Sequence, residues 1–170
     1  MFDITENAQL VTVYHPKDRT GAALTTEWIS MKHAEKATFI LDCGVLTSTS
    51  NFAVTLAVAD DASGTHSANI GSSTDLGLDH YYKNSSGVTF TRTTVSSSTF
   101  NITKSSDSTV YIIEVEAQNM GQFTSGSSTY DADYVRLSAA TPGAHACLTS
   151  CHCLLTGLRY QQDTPPSQIA

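Results

Sequence analysis

Short blocks of β-compatible residues, apolar and polar in alternation, recur along this chain and stop each time at Gly, Ser, Asn or Asp. That pattern sets period-2 strands separated by turns, and it denies helices the longer stripe they need. The clearest blocks are QLVTVY, EWISM, ATFILDC, FAVTLAVA, GVTFTRTTV, TVYIIEVEA, DYVRLSAA and ACLTSCHCLL, with TVYIIEVEA the strongest. HAEK, residues 33–36, is too brief and polar for a helix and reads as a hairpin connection between EWISM and ATFILDC. AQNMGQF has the composition of one helical turn. About a quarter of the positions are Ser or Thr and only 15% are charged, which suits strands and polar turns better than surface helices.

Eight to ten such strands in 170 residues predict one all-β domain, an antiparallel β-sandwich or jelly-roll-like fold with extended termini. Residues 1–27 are expected to form an N-terminal arm or first strands, 28–160 the sandwich, and 161–170 an extended tail. The tail contains Pro165 and Pro166, which favour a polyproline-like exit. GSSTDLG, VSSSTF, TKSSDST and FTSGSSTY read as exposed turns.

The formal net charge is −7, and the nine Lys and Arg are scattered, so direct nucleic-acid binding is not expected. The start, MFDITENAQL, is acidic where a secretory leader is basic, and no apolar run approaches a membrane span. Synthesis in a reducing cytoplasm is therefore expected, with thiols initially free. No GxSxG elbow, HExxH pair, phosphate-binding glycine loop or dinucleotide fingerprint occurs, so no enzyme and no cofactor is expected. Asp60 with Asp61, and Asp131 with Asp133, are oxygen-rich pairs that calcium would accept, but their spacing matches no calcium loop and suits turns. Trp28, Tyr81 and Tyr82 are candidates for a sugar-stacking platform or for packing. Asn84 and Asn101 begin glycosylation sequons that matter only on a secretory route.

Three of the four cysteines fall in HACLTSCHCLL. On a strand Cys147, Cys151 and Cys153 share one face, with Leu148, Ser150, His152 and Leu154 on the other. Neighbours on one face of a strand have α-carbons about 6.6 Å apart, whereas a disulfide holds β-carbons at about 3.8 Å. A disulfide therefore needs Cys43 or a second chain; buried free thiols are the alternative. Zinc is disfavoured, because His145, His152 and the C-x-x-x-C-x-C spacing lack the usual knuckle. Sheet interiors also supply no base to activate a catalytic thiol.

Taken in order, SMKHAEKATFILDCG, AVTLAVADDASGT, LGLDHYYKNSSG, TFNI with STVYIIEVEAQNM, YDADYVRLSAATPGAHA and GLRYQQDTPPSQIA resemble virion proteins of tailed bacteriophages from about Trp28 onward. The resemblance implies a β-sandwich or jelly-roll subunit that decorates or cements an icosahedral head from outside. Its implied partners are the major capsid protein and further copies of the chain, as a homotrimer, with intersubunit disulfides as an option. A phage-associated carbohydrate- or receptor-binding module is the alternative function. The family's strand after ATPG is generally aliphatic, so the sulfur row is this chain's own departure.

Overall fold

Alternation decides the sidedness of each strand before topology does. In β10 (Thr109–Glu116), Tyr111, Ile113 and Val115 are buried while Val110, Ile112, Glu114 and Glu116 are half-exposed. In β4 (Lys36–Cys43), Ala37, Phe39, Leu41 and Cys43 turn inward in the same manner. The computed structural model describes residues 8–46, 52–70, 80–84, 89–95, 99–102 and 108–158. Its remaining strands are β1 (Ala8–Asp18), β2 (Leu24–Thr25), β3 (Ile29–Ser30), β5 (Phe52–Ala59), β6 (Ser67–Asn69), β7 (His80–Asn84), β8 (Thr91–Thr94) and β9 (Thr99–Ile102). They are followed by β11 (Gln122–Ser125), β12 (Ser128–Asp131), β13 (Tyr134–Ala139) and β14 (Leu148–Thr156).

The first sheet runs β1-β14-β4-β10-β7-β8, antiparallel throughout. In the second, β13 and β5 form the centre; β2 and β3 flank β13, and β6 and β9 flank β5. Treating β2 with β3 and β6 with β9 as single ranks leaves eight ranks in chain order. One sheet then reads 1-8-3-6 and the other 2-7-4-5, which is the jelly roll. The β7–β8 ribbon is an excursion between the two halves of rank five that widens the first sheet. The β11–β12 hairpin is a second addition. Phe39, Leu41 and Ile113 from one sheet and Val54, Leu56, Val135 and Leu137 from the other are fully buried between the layers.

The expectation of an antiparallel sandwich of the jelly-roll kind is met. HAEK, however, joins no hairpin. β3 pairs with β13 in the second sheet while β4 lies in the first, so residues 31–35 cross between layers, with Ala34 N–H donating to the Met31 carbonyl at 3.2 Å. EWISM contributes only Ile29–Ser30, and the described part of GVTFTRTTV only Thr91–Thr94. FTSGSSTY is a hairpin rather than a bare turn, because its Ser and Thr residues alternate across β11 and β12. Ala117–Met120, within AQNMGQF, makes one helical turn, α1, closing on Gly121. The first two strands belong to the sandwich. Residues 1–7, GSSTDLG and the tail from 159 lie outside the described residues, as do parts of the other two serine-rich stretches.

One glycine is fixed by packing as well as by backbone. Gly64 has φ +67°, and a Cβ built on it would meet the Trp28 indole at 2.2 Å. Gly126, in the β11–β12 turn, has φ +65° but open space around it. Gly64→Ala is expected to destabilise the fold by about 2–4 kcal/mol and Gly126→Ala by about 1 kcal/mol, read from urea unfolding midpoints. Equal losses would show that the Trp28 contact adds nothing.

Candidate functional site

The jelly roll carries two chain crossings side by side at one end: β1 leaves the first sheet toward β2, and β13 leaves the second toward β14. Arg19 sits between them. Its N–H donates to the Cys147 carbonyl at 3.1 Å, and Gly21 N–H donates to the Gly143 carbonyl at 2.6 Å. Asp18 accepts from the Cys147 N–H at 3.3 Å and from the Thr20 N–H and hydroxyl at 3.0 and 2.9 Å.

The Arg19 side chain is 0% exposed. Nη2 donates to the carbonyls of Ala139 at 2.8 Å, Ala140 at 2.7 Å and Ala22 at 3.4 Å, so one guanidinium ties both crossings. The Phe52 ring lies 5.2 Å from its central carbon. Nε and Nη1 are buried with no hydrogen-bond partner among the described residues. Burial pulls the guanidinium below its ordinary range, and the nearby Cys147, Tyr14 and Cys43 groups oppose that shift. A charge taken out of water this completely requires compensation from dipoles or counter-charge.

All four cysteines are buried, at 0–1% exposure, and unbridged. Cys151 and Cys153 face the core from β14 beside Thr149 and Leu155, while His152 and Leu154 are half-exposed on the other face, as the strand period requires. Cys147 is one residue short of the strand and is buried too. Register supplies the pairing that sequence left open: Thr149 lies opposite Cys43, so Cys147 comes diagonally beside Cys43. Cys147 Sγ lies 3.4 Å from the Thr149 hydroxyl. Cys43 draws the Cys147 thiol below the ordinary range, assisted by Thr149 and the Arg19 charge, and Cys147 with burial pushes Cys43 up. Burial, with the neighbouring Cys153, raises Cys151, and burial alone raises Cys153 to about 12.

Outside, the first sheet carries an apolar stripe. Leu10 lies opposite Leu154; Ile40 lies opposite Ile112, which lies opposite Tyr82. Leu10 is 60% exposed and the others are half-exposed. These side chains span five adjacent strands, from β1 to β7, with a diagonal step between β14 and β4, where Leu154 lies opposite Thr38 and His152 opposite Ile40.

No family model, curated protein or solved structure matches the chain. Site geometry therefore has to speak for itself.

The aromatic trio does not assemble. Trp28 packs on the outer face of the second sheet against Ala57 and Ala59, with Arg136 4.3 Å above its ring. Tyr81 turns into the core and stacks on Phe100 at 4.2 Å, whereas its neighbour Tyr82 belongs to the outer stripe of the first sheet. The acidic pairs serve structure. Asp61 accepts from the N–H groups of Ser63 and Thr65, and Asp60 holds His66 at 2.8 Å with the imidazole stacked on Tyr130. Asp131 accepts from Gln122, and Asp133 pairs with Lys32 at 3.1 Å. Among the described residues no cluster of three or more His, Cys, Asp or Glu side chains could hold a metal ion. A cavity of about 180 Å³ lined by Gln9, Val11, Trp28, Ile29 and Leu155 is smaller than a typical small-molecule site.

Sequence reasoning missed Arg19 because PKDRTG carries the local signature of an exposed turn. Arg19→Ala is expected to cost about 3–5 kcal/mol, since it empties space beside Phe52 and strips the guanidinium donor from the buried Ala139 carbonyl and from the partly buried bonds to Ala22 and Ala140. Chemical denaturation checks this; a loss under 1 kcal/mol would contradict it. Asp18 is held below the ordinary aspartate value of 3.8 by its Thr20 and Cys147 hydrogen bonds. Its contribution is therefore present above that value and lost as pH falls through the lower folded-state value. Asp18→Asn should flatten the acid limb of the stability profile below about pH 4; an unchanged limb would count against the assignment.

Proposed function

We propose that the chain is a structural virion protein, a decoration or cement subunit that binds the outside of an icosahedral phage head and stabilises it. The observation that carries the reading is the apolar stripe Leu10, Leu154, Ile40, Ile112 and Tyr82 on a broad, nearly complete sheet face. A rigid sheet with outward Leu, Ile and Tyr offers an interface that needs little reordering on contact. Two further features support it. Ala8 is paired with Thr156, so the start of the first strand and the end of the last lie together at one corner of that sheet. The net charge of −7 suits solubility before assembly and a station away from the packaged DNA. The sequence resemblance to phage head proteins points the same way.

The mechanism in this reading is mechanical. Each copy spans adjacent capsid subunits, and contacts of modest strength add over many sites to resist internal pressure. The capsid protein is the partner, and a homotrimer around a local axis would present three such faces together.

Purified chain is expected to bind heads that lack it and to raise their resistance to heat or chelator. Leu10→Asp and Tyr82→Ala should each weaken that binding by about tenfold or more while shifting stability by about 0.5 kcal/mol at most. Cosedimentation and thermal melts read the two effects separately. No binding by the unaltered chain would overturn the function, and binding insensitive to both substitutions would overturn the assigned face.

A further inference from the structure

The corner that Arg19 holds contains chemistry that binding a shell does not use. Cys43, at the end of β4, lies opposite Thr149, which brings Cys147, two residues ahead on the same chain, diagonally beside it, and both thiols are buried. Beside them lies a guanidinium with 0% exposure whose Nε and Nη1 have no hydrogen-bond partner among the described residues. A buried cation short of acceptors stabilises a neighbouring anion, and the thiolate is the reactive form of cysteine. Thr149 supplies a hydroxyl 3.4 Å from the Cys147 sulfur. The residues just before Cys147, from Gly143 to Ala146, are exposed. Cys151 and Cys153 lie farther along β14 with no guanidinium coupled to them, and burial disfavours their thiolates. The other charged or titratable groups acting on the pair include Asp18, Asp42 and Tyr111.

We propose that Cys147 and Cys43 form a site of oxidative modification, in which hydrogen peroxide oxidises Cys147 and Cys43 closes an intramolecular disulfide with it. The Cys147 thiolate attacks one peroxide oxygen; the S–O bond forms, the O–O bond breaks, and the departing hydroxide takes up a proton as water. Cys43 sulfur then attacks the Cys147 sulfenic acid. The S–S bond forms, the S–O bond breaks, and the hydroxyl leaves with the Cys43 proton as a second water. Two thiols are oxidised, and one peroxide is reduced to two waters. The bond staples the end of β4 to the β13–β14 crossing, adding a covalent link beside the hydrogen bonds of Arg19. The proposal does not rest on the shell-binding reading and holds for the isolated chain.

Folded full-length chain is treated with dilute hydrogen peroxide, quenched, denatured, alkylated and mapped without reduction. The expected product has lost the mass of two hydrogens, links the peptides containing Cys43 and Cys147, and melts at higher temperature than the reduced chain. Cys151 and Cys153 should remain alkylatable, their oxidation slower by about tenfold or more. In Cys43→Ser the resolving thiol is absent, so a sulfenic acid should accumulate at Cys147 and be trapped by dimedone. Cys147→Ser should yield neither the trapped adduct at Cys43 nor the bond. Preferential oxidation at Cys151 or Cys153 would overturn the proposal. So would peroxide-treated unaltered chain in which Cys147 is overoxidised, or left reduced, while Cys43 stays free.

Discussion

A single guanidinium sits where the jelly roll is most easily opened. The two sheets are joined at this end by two chain crossings, and Arg19 bonds to the carbonyls of Ala22, Ala139 and Ala140, one from the first crossing and two from the second. Asp18 fixes the backbone ahead of it by accepting from the Cys147 N–H. Without these bonds the buried Ala139 carbonyl would lose this donor, and β1 and β14 could meet without fixing how the layers close. The same closure sets the first strand against the last.

β14 shows how one strand serves two purposes by period alone. Its inward side carries Thr149, Cys151, Cys153 and Leu155 into the core, and its outward side presents His152 and Leu154 beside Thr12 and Leu10. Thr12 and His152 are in hydrogen-bond contact at 3.3 Å, which orders that part of the outer face. β1 departs from regular pairing at two places, between Thr12 and Tyr14 and between Tyr14 and Lys17, and Pro16 lies in the second. Those irregularities blunt the exposed edge against adding another strand. The face of the first sheet is therefore better suited than its edge for contact with another protein, which is the basis of the proposed role on a phage head.

How much was legible in the sequence follows from which features are local. The alternation in TVYIIEVEA and ATFILDC sets the sidedness of β10 and β4, and the same period puts Cys151 and Cys153 on the core face of β14. Sheet membership is not local. HAEK looked like a hairpin because two β-like blocks flank it, yet β3 and β4 find their partners about a hundred residues away, in different layers. The Cys43–Cys147 proximity likewise depends on the pairing of Thr149 with Cys43, which no spacing encodes. Tyr81 and Tyr82 are adjacent on a strand and must face opposite ways, a constraint already present in the period and enough to separate them as a platform. Arg19 had no readable signal, because its burial comes from a crossing formed by the far end of the chain.

The proposed role ties a specific face of a specific sheet to a surface, and electron cryomicroscopy of heads assembled with the purified chain examines that tie directly. Extra density on the outside of the shell, fitting the sandwich with Leu10, Leu154, Ile40, Ile112 and Tyr82 against capsid protein, is the expected image. Density at the tail, inside the shell, or outside it with that stripe facing solvent would contradict it.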